Sequence, residues 1–248
     1  MKRGQITIFI IVAVLIIISI ILFIIIKQNF LVSKNSKVNQ EIEPVYSFIQ
    51  QCIDETAKQS ILSIAKNGGY FENPEKAFEQ TIPYYLYEQE NLMPSKEKIQ
   101  EQLSLKFNDD FQYCINNFYD FPDFEFQQNK IKTTTQINNQ EIIFNIEYPL
   151  TISKQEQTYQ LEDFSTTISA RFGIIHNAIF QIMQEQITHP SSINPTYIYE
   201  VSSENDFQIN MIGFIEQDII FTITDKNSKI NNQDLLFIFA NKYLSEDL

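Results

Sequence analysis

The spacing of apolar residues changes several times along the chain, and each change marks an element. From Ile6 to Ile26 the apolar run is continuous, with only Thr7 and Ser19 interrupting 21 residues. At 1.5 Å per residue a helix of that length spans about 30 Å, the hydrocarbon thickness of a bilayer. Isoleucine covers every face, so a helix at the surface of a globular core is a poor fit. A cleaved secretory signal has a shorter apolar stretch of roughly 7–15 residues and a small-residue cleavage site. Here "KQNFLVSKNSK" follows instead, and a retained transmembrane helix is the expectation.

Past Pro44 the period becomes helical. In "PVYSFIQQCIDETAKQSILSIAKNGGY", Val45, Ile49, Cys52, Ile53, Ala57, Ile61 and Ile64 form one stripe, and Gly68 and Gly69 end it. "IPYYLYEQENLMP" reads as a short strand or an ordered loop. A second helix starts near Ser95 and carries Ile99, Leu103, Phe107, Phe111, Cys114 and Phe118 on one face. The period then falls to two: "KIKTTTQI", "EIIFNIEYPLTI" and "YQLEDFSTTISA" predict an antiparallel meander with Ile142, Phe144, Ile146 and Tyr148 on its dry side. A third helix is expected over 171–187, with Phe172, Ile175, Ile179, Ile182, Met183 and Gln186 sharing a face. After the break "THPSSINP" come three more strands, "DFQINMIGF", "IIFTITD" and "DLLFIFANKY", the last two separated by the polar turn "KNSKINNQ".

These elements give an α+β fold of amphipathic helices packed on antiparallel sheets. The expected organisation is a basic tail over 1–4, a transmembrane helix over 5–27 and a stalk over 28–43. A mainly helical subdomain over 44–120 and a β-rich one over 121–248 follow.

Charge narrows the partners. All 31 acidic residues lie beyond Lys27, against 15 of the basic ones, a net of −16 for that part of the chain. Such a field repels nucleic acid and anionic lipid surfaces. The flanking lysines and arginines do not fix the orientation of the apolar helix, but the short amino-terminal tail favours a cytoplasmic N-terminus and an extracytoplasmic bulk. Membrane lipid is the expected surrounding of residues Ile6 to Ile26, with self-association or a membrane-protein partner beside it.

Cys52 and Cys114 sit on the two predicted helical stripes, so in an exported domain they are candidates for a disulfide; the alternative is two buried small hydrophobes. No Cys/His cluster has zinc-ligand spacing, and His176 and His189 are thirteen residues apart. With five glycines the chain offers no phosphate-cradling loop and no nucleophile elbow. Asp109–Asp110 and Glu162–Asp163 read as solvated pairs, and "TDKNSKINNQD" lacks the glycine and terminal glutamate of a calcium loop. No catalytic residue, cofactor or metal is expected. The clusters "YYLY" and "FYDFPDFEF" are divided between core packing and a recognition surface for protein or carbohydrate.

The opening "KRGQITIFI" resembles the class III signal peptides of archaeal type IV pilins and archaellins, where a short basic leader ending in glycine precedes glutamine and a long apolar helix. That resemblance implies peptidase cleavage between Gly4 and Gln5; Thr7 follows loosely, and Phe9 stands where the family places a glutamate. Further on, "CIDETAKQS", "NGGYF", "IPYYLY", "YPLTI", "DFSTTISARFG" and "FTITDKNSKI" resemble an uncharacterised group of single-pass surface proteins of small-celled archaea. The resemblance implies a place at the cell membrane and no activity. The expectation is a noncatalytic, membrane-anchored surface protein for adhesion, envelope structure or pilin-like assembly. The alternative is an extracytoplasmic receptor, a binding module, or an accessory subunit of a membrane complex.

Overall fold

In the computed structural model the described residues are 39–189, 193–213 and 217–243. The chain forms two compact units, 1–46 and 47–248. Of the first, only 39–46 are described: the Ile42 amide donates to the Asn39 carbonyl at 3.0 Å in a turn that opens helix α1, Glu43–Lys66. Glu43 lies in the first turn, where a negative charge suits the helix dipole.

In the second unit the α1 stripe is buried as its spacing requires: Ile49, Ile53, Ala57, Ile61 and Ile64 are all sealed from solvent. The helix ends on two left-handed glycines, with the Gly69 amide donating to the Ile64 carbonyl at 2.8 Å. Gly68 is also required by space. A Cβ there would stand 2.7 Å from Pro83 Cγ and 2.8 Å from the Ile238 carbonyl oxygen.

Next come β1 (Ala77–Phe78), β2 (Ile82–Tyr87) and β3 (Glu90–Asn91), then α2, Lys96–Ile115. Ser95 caps α2 by accepting from the Lys98 amide at 3.2 Å. Four strands follow, β4 (Glu125–Gln128), β5 (Lys132–Ile137), β6 (Glu141–Lys154) and β7 (Gln157–Ser169). Helices α3 (Phe172–Thr188) and α4 (Pro195–Asn205) precede β8 (Gln208–Gly213), β9 (Asp218–Ile230) and β10 (Gln233–Lys242).

The fold is α+β, with two sheets. In one, β6 is the centre: β7 pairs along its whole length, while β4 and β5 share its other edge, end to end, all antiparallel. Helix α2 covers the dry face. Phe107 meets Phe144 at 5.4 Å between ring centroids, and Phe111 meets Tyr148 at 5.3 Å. The helix also closes the β5 edge, because Gln100 Oε1 accepts from the Ile137 amide at 2.9 Å and the Gln100 carbonyl accepts from Thr135 Oγ1 at 2.6 Å.

The other sheet runs β1-β2-β10-β9-β8, with β3 on β2. It is mixed, because β2 pairs parallel with β10. This corrects the expectation of antiparallel sheets alone. A parallel neighbour needs a long crossover, and here almost the whole unit lies between the two strands, out of reach of any local pattern. Tyr85, Phe239 and Phe221 stack across β2, β10 and β9 at 4.6 and 4.9 Å, and the Tyr85 hydroxyl donates to the Gly68 carbonyl at 2.9 Å.

Two further departures from the sequence reading have local causes. The polar segment after Asp225 is strand, not turn: β9 continues to Ile230, and only Asn231 and Asn232, both with positive φ, make the hairpin turn. A bulge between Leu235↔Asp225 and Asp234↔Lys229 turns Asp225 and Ser228 into the core. There Asp225 accepts from Arg171 Nη1 (3.0 Å), the Asn227 amide (3.0 Å) and Ser228 Oγ (2.6 Å), so Asp225 and Ser228 are satisfied inside while Lys226, Asn227 and Lys229 stay exposed. Helix α4 escaped the periodicity because only Ile198 and Val201 are buried; its signals are the Asn194 cap and Pro195 in the first turn.

Candidate functional site

The chemistry of the second unit converges on α2. Cys52 of α1 and Cys114 of α2 form a disulfide with Cα atoms 5.7 Å apart and 62 residues between them in sequence. Cys52 is buried, but Cys114 is exposed and Ile115 takes the inward position. The stripe read through Cys114 therefore drifts by one residue at the helix end. Asn116, Asn117 and Phe118 then turn left-handed, and Phe118 reaches the core through that turn instead of on the helix. It stacks on Phe126 at 4.0 Å and meets Phe48 of α1 edge-on at 6.2 Å, so much of the "FYDFPDFEF" cluster is packing.

Along its outer side α2 is a ridge between two hollows. One, about 580 Å³, lies against the segment 70–74 and is lined by Tyr70, Phe71, Lys98, Gln102 and Asp109. The Phe71 amide donates to Gln102 Oε1 at 2.9 Å, which fixes the wall, and burial pushes the Tyr70 phenol up against the opposing pull of Lys98. The other, about 400 Å³, lies between α2 and β5 and is lined by Glu97, Glu101, Ser104, Thr133 and Thr135. Leu105, 45% exposed, and Asn108 belong to both. Among the described residues Asn108 Oδ1 and Thr133 Oγ1 have no hydrogen-bond partner. Glu97 is held below the usual carboxylate range by its own backbone amide and the Ser95 hydroxyl at the helix start. A third, smaller cavity of about 290 Å³ closes the C-terminal end of α2.

The other singled-out residues do not meet there. His176 Nε2 lies 3.2 Å from the Pro94 carbonyl, where the ring packs between α3 and the start of α2, and burial lowers its pKa. His189 pairs with Glu185 on the same helix. Asp110 is bound by Lys106 at 2.7 Å, while Glu162 and Asp163 are exposed on β7. No group of three His, Cys, Asp or Glu able to hold a metal occurs among the described residues. Exposed apolar side chains also collect on α3, α4 and β8, where Phe180, Tyr199 and Ile212 face solvent. Gly4, Gln5, Ile6 and Ile26 lie outside the described residues, and no helix among the described residues is long and apolar enough to cross a membrane.

Comparison of the chain with protein-family models, with curated proteins and with solved structures finds no match.

Proposed function

We propose that this chain is a noncatalytic surface protein held in the membrane by residues 6–26, with its acidic α+β unit displayed on the extracytoplasmic side. The observation that carries the reading is the Cys52–Cys114 bridge, which uses both cysteines of the chain and exposes one of its sulfur-bearing residues to solvent. Exposed bridges between helices persist where the surroundings are oxidising, and cytosolic thiols reduce them. A 21-residue stretch broken only by Thr7 and Ser19 ahead of such a unit supports tethering over secretion. Adhesion, envelope structure and pilin-like assembly are the roles compatible with display, and none needs a reacting group.

A second reading, a receptor or accessory subunit of a membrane complex, is favoured by the two hollows that flank α2. Surface proteolysis of intact cells, membrane extraction at alkaline pH and mass spectrometry of the amino terminus test the proposal together. The expected result is a membrane-retained chain starting at Met1 or Gln5 whose folded part is cut only from outside. Recovery of a soluble chain starting beyond Lys27 overturns the tether, and protection of the folded part in intact cells overturns the orientation. An N-terminus at Gln5 together with regular fibres in the electron microscope selects pilin-like assembly.

A further inference from the structure

The cavity at the end of α2 owes its existence to a break in a sheet edge. β5 pairs with β6 over 142–147 and β4 over 150–153, so Tyr148 and Pro149 belong to neither ladder. The Asn129 amide donates to the Pro149 carbonyl at 3.0 Å, and the segment 129–131 then leaves the sheet. Between it and the last turn of α2 the cavity opens, about 290 Å³ in volume.

Its floor is apolar: Phe111, Ile115, Ile131 and Tyr148, each buried, with the two rings edge to face. Its rim is made of amides. Gln112, Asn117, Gln128 and Asn129 converge on it, joined by Lys130. Tyr148 Oη donates to Gln128 Oε1 at 2.7 Å, which leaves the Gln128 amide nitrogen to donate elsewhere. Among the described residues no carboxylate lines the cavity, in a chain that carries 31. Asn117 reaches the rim from the run Asn116, Asn117 and Phe118, with φ of 42°, 53° and 56°. Three successive left-handed residues without glycine are strained, and such runs persist only where packing over-determines them. The stacked Phe118 supplies that packing.

This lining selects a chemistry. A metal cation finds no anionic donor. A polyphosphate finds a single ammonium in a strongly acidic protein. A purely apolar ligand strips water from the rim amides without replacing their hydrogen bonds. A carboxamide offers an acceptor and two donors on one side chain, which matches hydroxyl groups that both donate and accept. An apolar aromatic floor beneath such a rim suits a molecule with one C–H face and a hydroxylated edge. The volume lies at the small end of ligand sites, roughly 300–1,000 Å³, and so fits one ring and not a chain of them.

We propose that this cavity is a subsite for a single pyranose residue of a glycan, its C–H face against the apolar floor and its hydroxyls bonded by Gln112, Asn117, Gln128, Asn129 and Lys130. The assignment goes beyond display and stands apart from the membrane tether, since none of these residues depends on which side of a membrane the unit occupies.

The test uses the full chain in a detergent without sugar headgroups, and saturation-transfer NMR with methyl glucoside, methyl mannoside, N-acetylglucosamine, glucuronate and, as the peptide control, tetra-alanine. At least one pyranose is expected to bind with a millimolar Kd, weakened about tenfold by Asn129→Ala or Asn117→Gly. Asn117→Gly is the informative variant, because glycine relieves the left-handed strain at that position, and the unfolding midpoint should hold or rise while binding falls. Saturation transfer to none of the sugars overturns the assignment. Binding that neither variant weakens places the sugar elsewhere and overturns it too, as does binding of tetra-alanine in place of every sugar. A wrong tether changes none of these readouts, and a failed sugar titration leaves the proteolysis and N-terminal results intact.

Discussion

Asp225 is fully buried and holds three donors, among them the guanidinium of Arg171, whose side chain is 16% exposed. Asp225→Ala removes the acceptor and leaves a cation almost without water. Not all is lost with it: Arg171 Nη2 still donates to the Asn205 carbonyl at 2.6 Å, the guanidinium still lies 5.0 Å from the Phe207 ring centroid, and Ser228 Oγ still accepts from the Arg171 amide at 2.8 Å. Breaking one half of a buried ion pair costs about 3–5 kcal/mol, and these remaining contacts argue for the lower end, about 3 kcal/mol. With a urea m-value of about 2 kcal/mol/M, the midpoint falls by about 1.5 M. The chain has no tryptophan, so the assay is urea unfolding followed by circular dichroism, with the disulfide intact. The companion Arg171→Met/Asp225→Leu, which removes both charges, should cost less than Asp225→Ala alone. A midpoint shift for Asp225→Ala below about 0.3 M, or a double variant as damaging as the single one, refutes the reasoning that an uncompensated charge sets the cost.

Replacing Cys52 and Cys114 together by serine opens a loop with 62 residues of sequence separation, and the chain-entropy model gives a loss of about 4 kcal/mol, read from the same urea curves. Because Cys114 is exposed and Cys52 is buried, dithiothreitol should reduce the bridge in the native state, visible as alkylation of the Cys114 thiol before any loss of circular dichroism. Gly68→Ala forces a left-handed alanine against Pro83 and the Ile238 carbonyl, and should cost about 2–4 kcal/mol, whereas Gly213→Ala, with open space around its Cβ, should be nearly silent. Burial pushes the phenols of Tyr148 and Tyr243 up to about 12. The folded state then keeps protons that the unfolded chain has released, so this stability is complete below pH 10 and is lost as pH rises from 10 towards about 12. Absorbance at about 295 nm should show the ionisation of these two phenols delayed to the pH range in which the chain unfolds.

The candidate cavity was less legible than the helices that border it. Tyr148 and Phe111 announced themselves as core residues by their periods, and they are buried. Nothing in "FQQNKI" marks Gln128 and Asn129 as a rim, since amides are the commonest polar letters of this chain and most of them face solvent for no special reason. Their convergence depends on β4 and β5 meeting the same edge of β6, a register fact. The larger hollow beside α2 has a similar origin, because its wall is the segment 70–74, which no local pattern ties to α2 and which precedes the strand β2 that joins the distant sheet.

What the sequence determined by itself is the set of elements whose stability is local. The three-and-four spacing of α1, α2 and α3, the caps at Ser95 and Gly68, and the alternation along β6 each express an interaction within a few residues, and each forms where its pattern placed it. Tertiary structure decided the parallel entry of β2 beside β10, the burial of Asp225 under Arg171, the turn of Cys114 outward with Ile115 inward, and the left-handed run that carries Asn117 to its cavity. The reason is one of range. A backbone period is fixed by contacts a turn away, whereas strand order, charge pairing and cavity shape are fixed by residues that become neighbours only after the chain has closed loops of fifty residues and more.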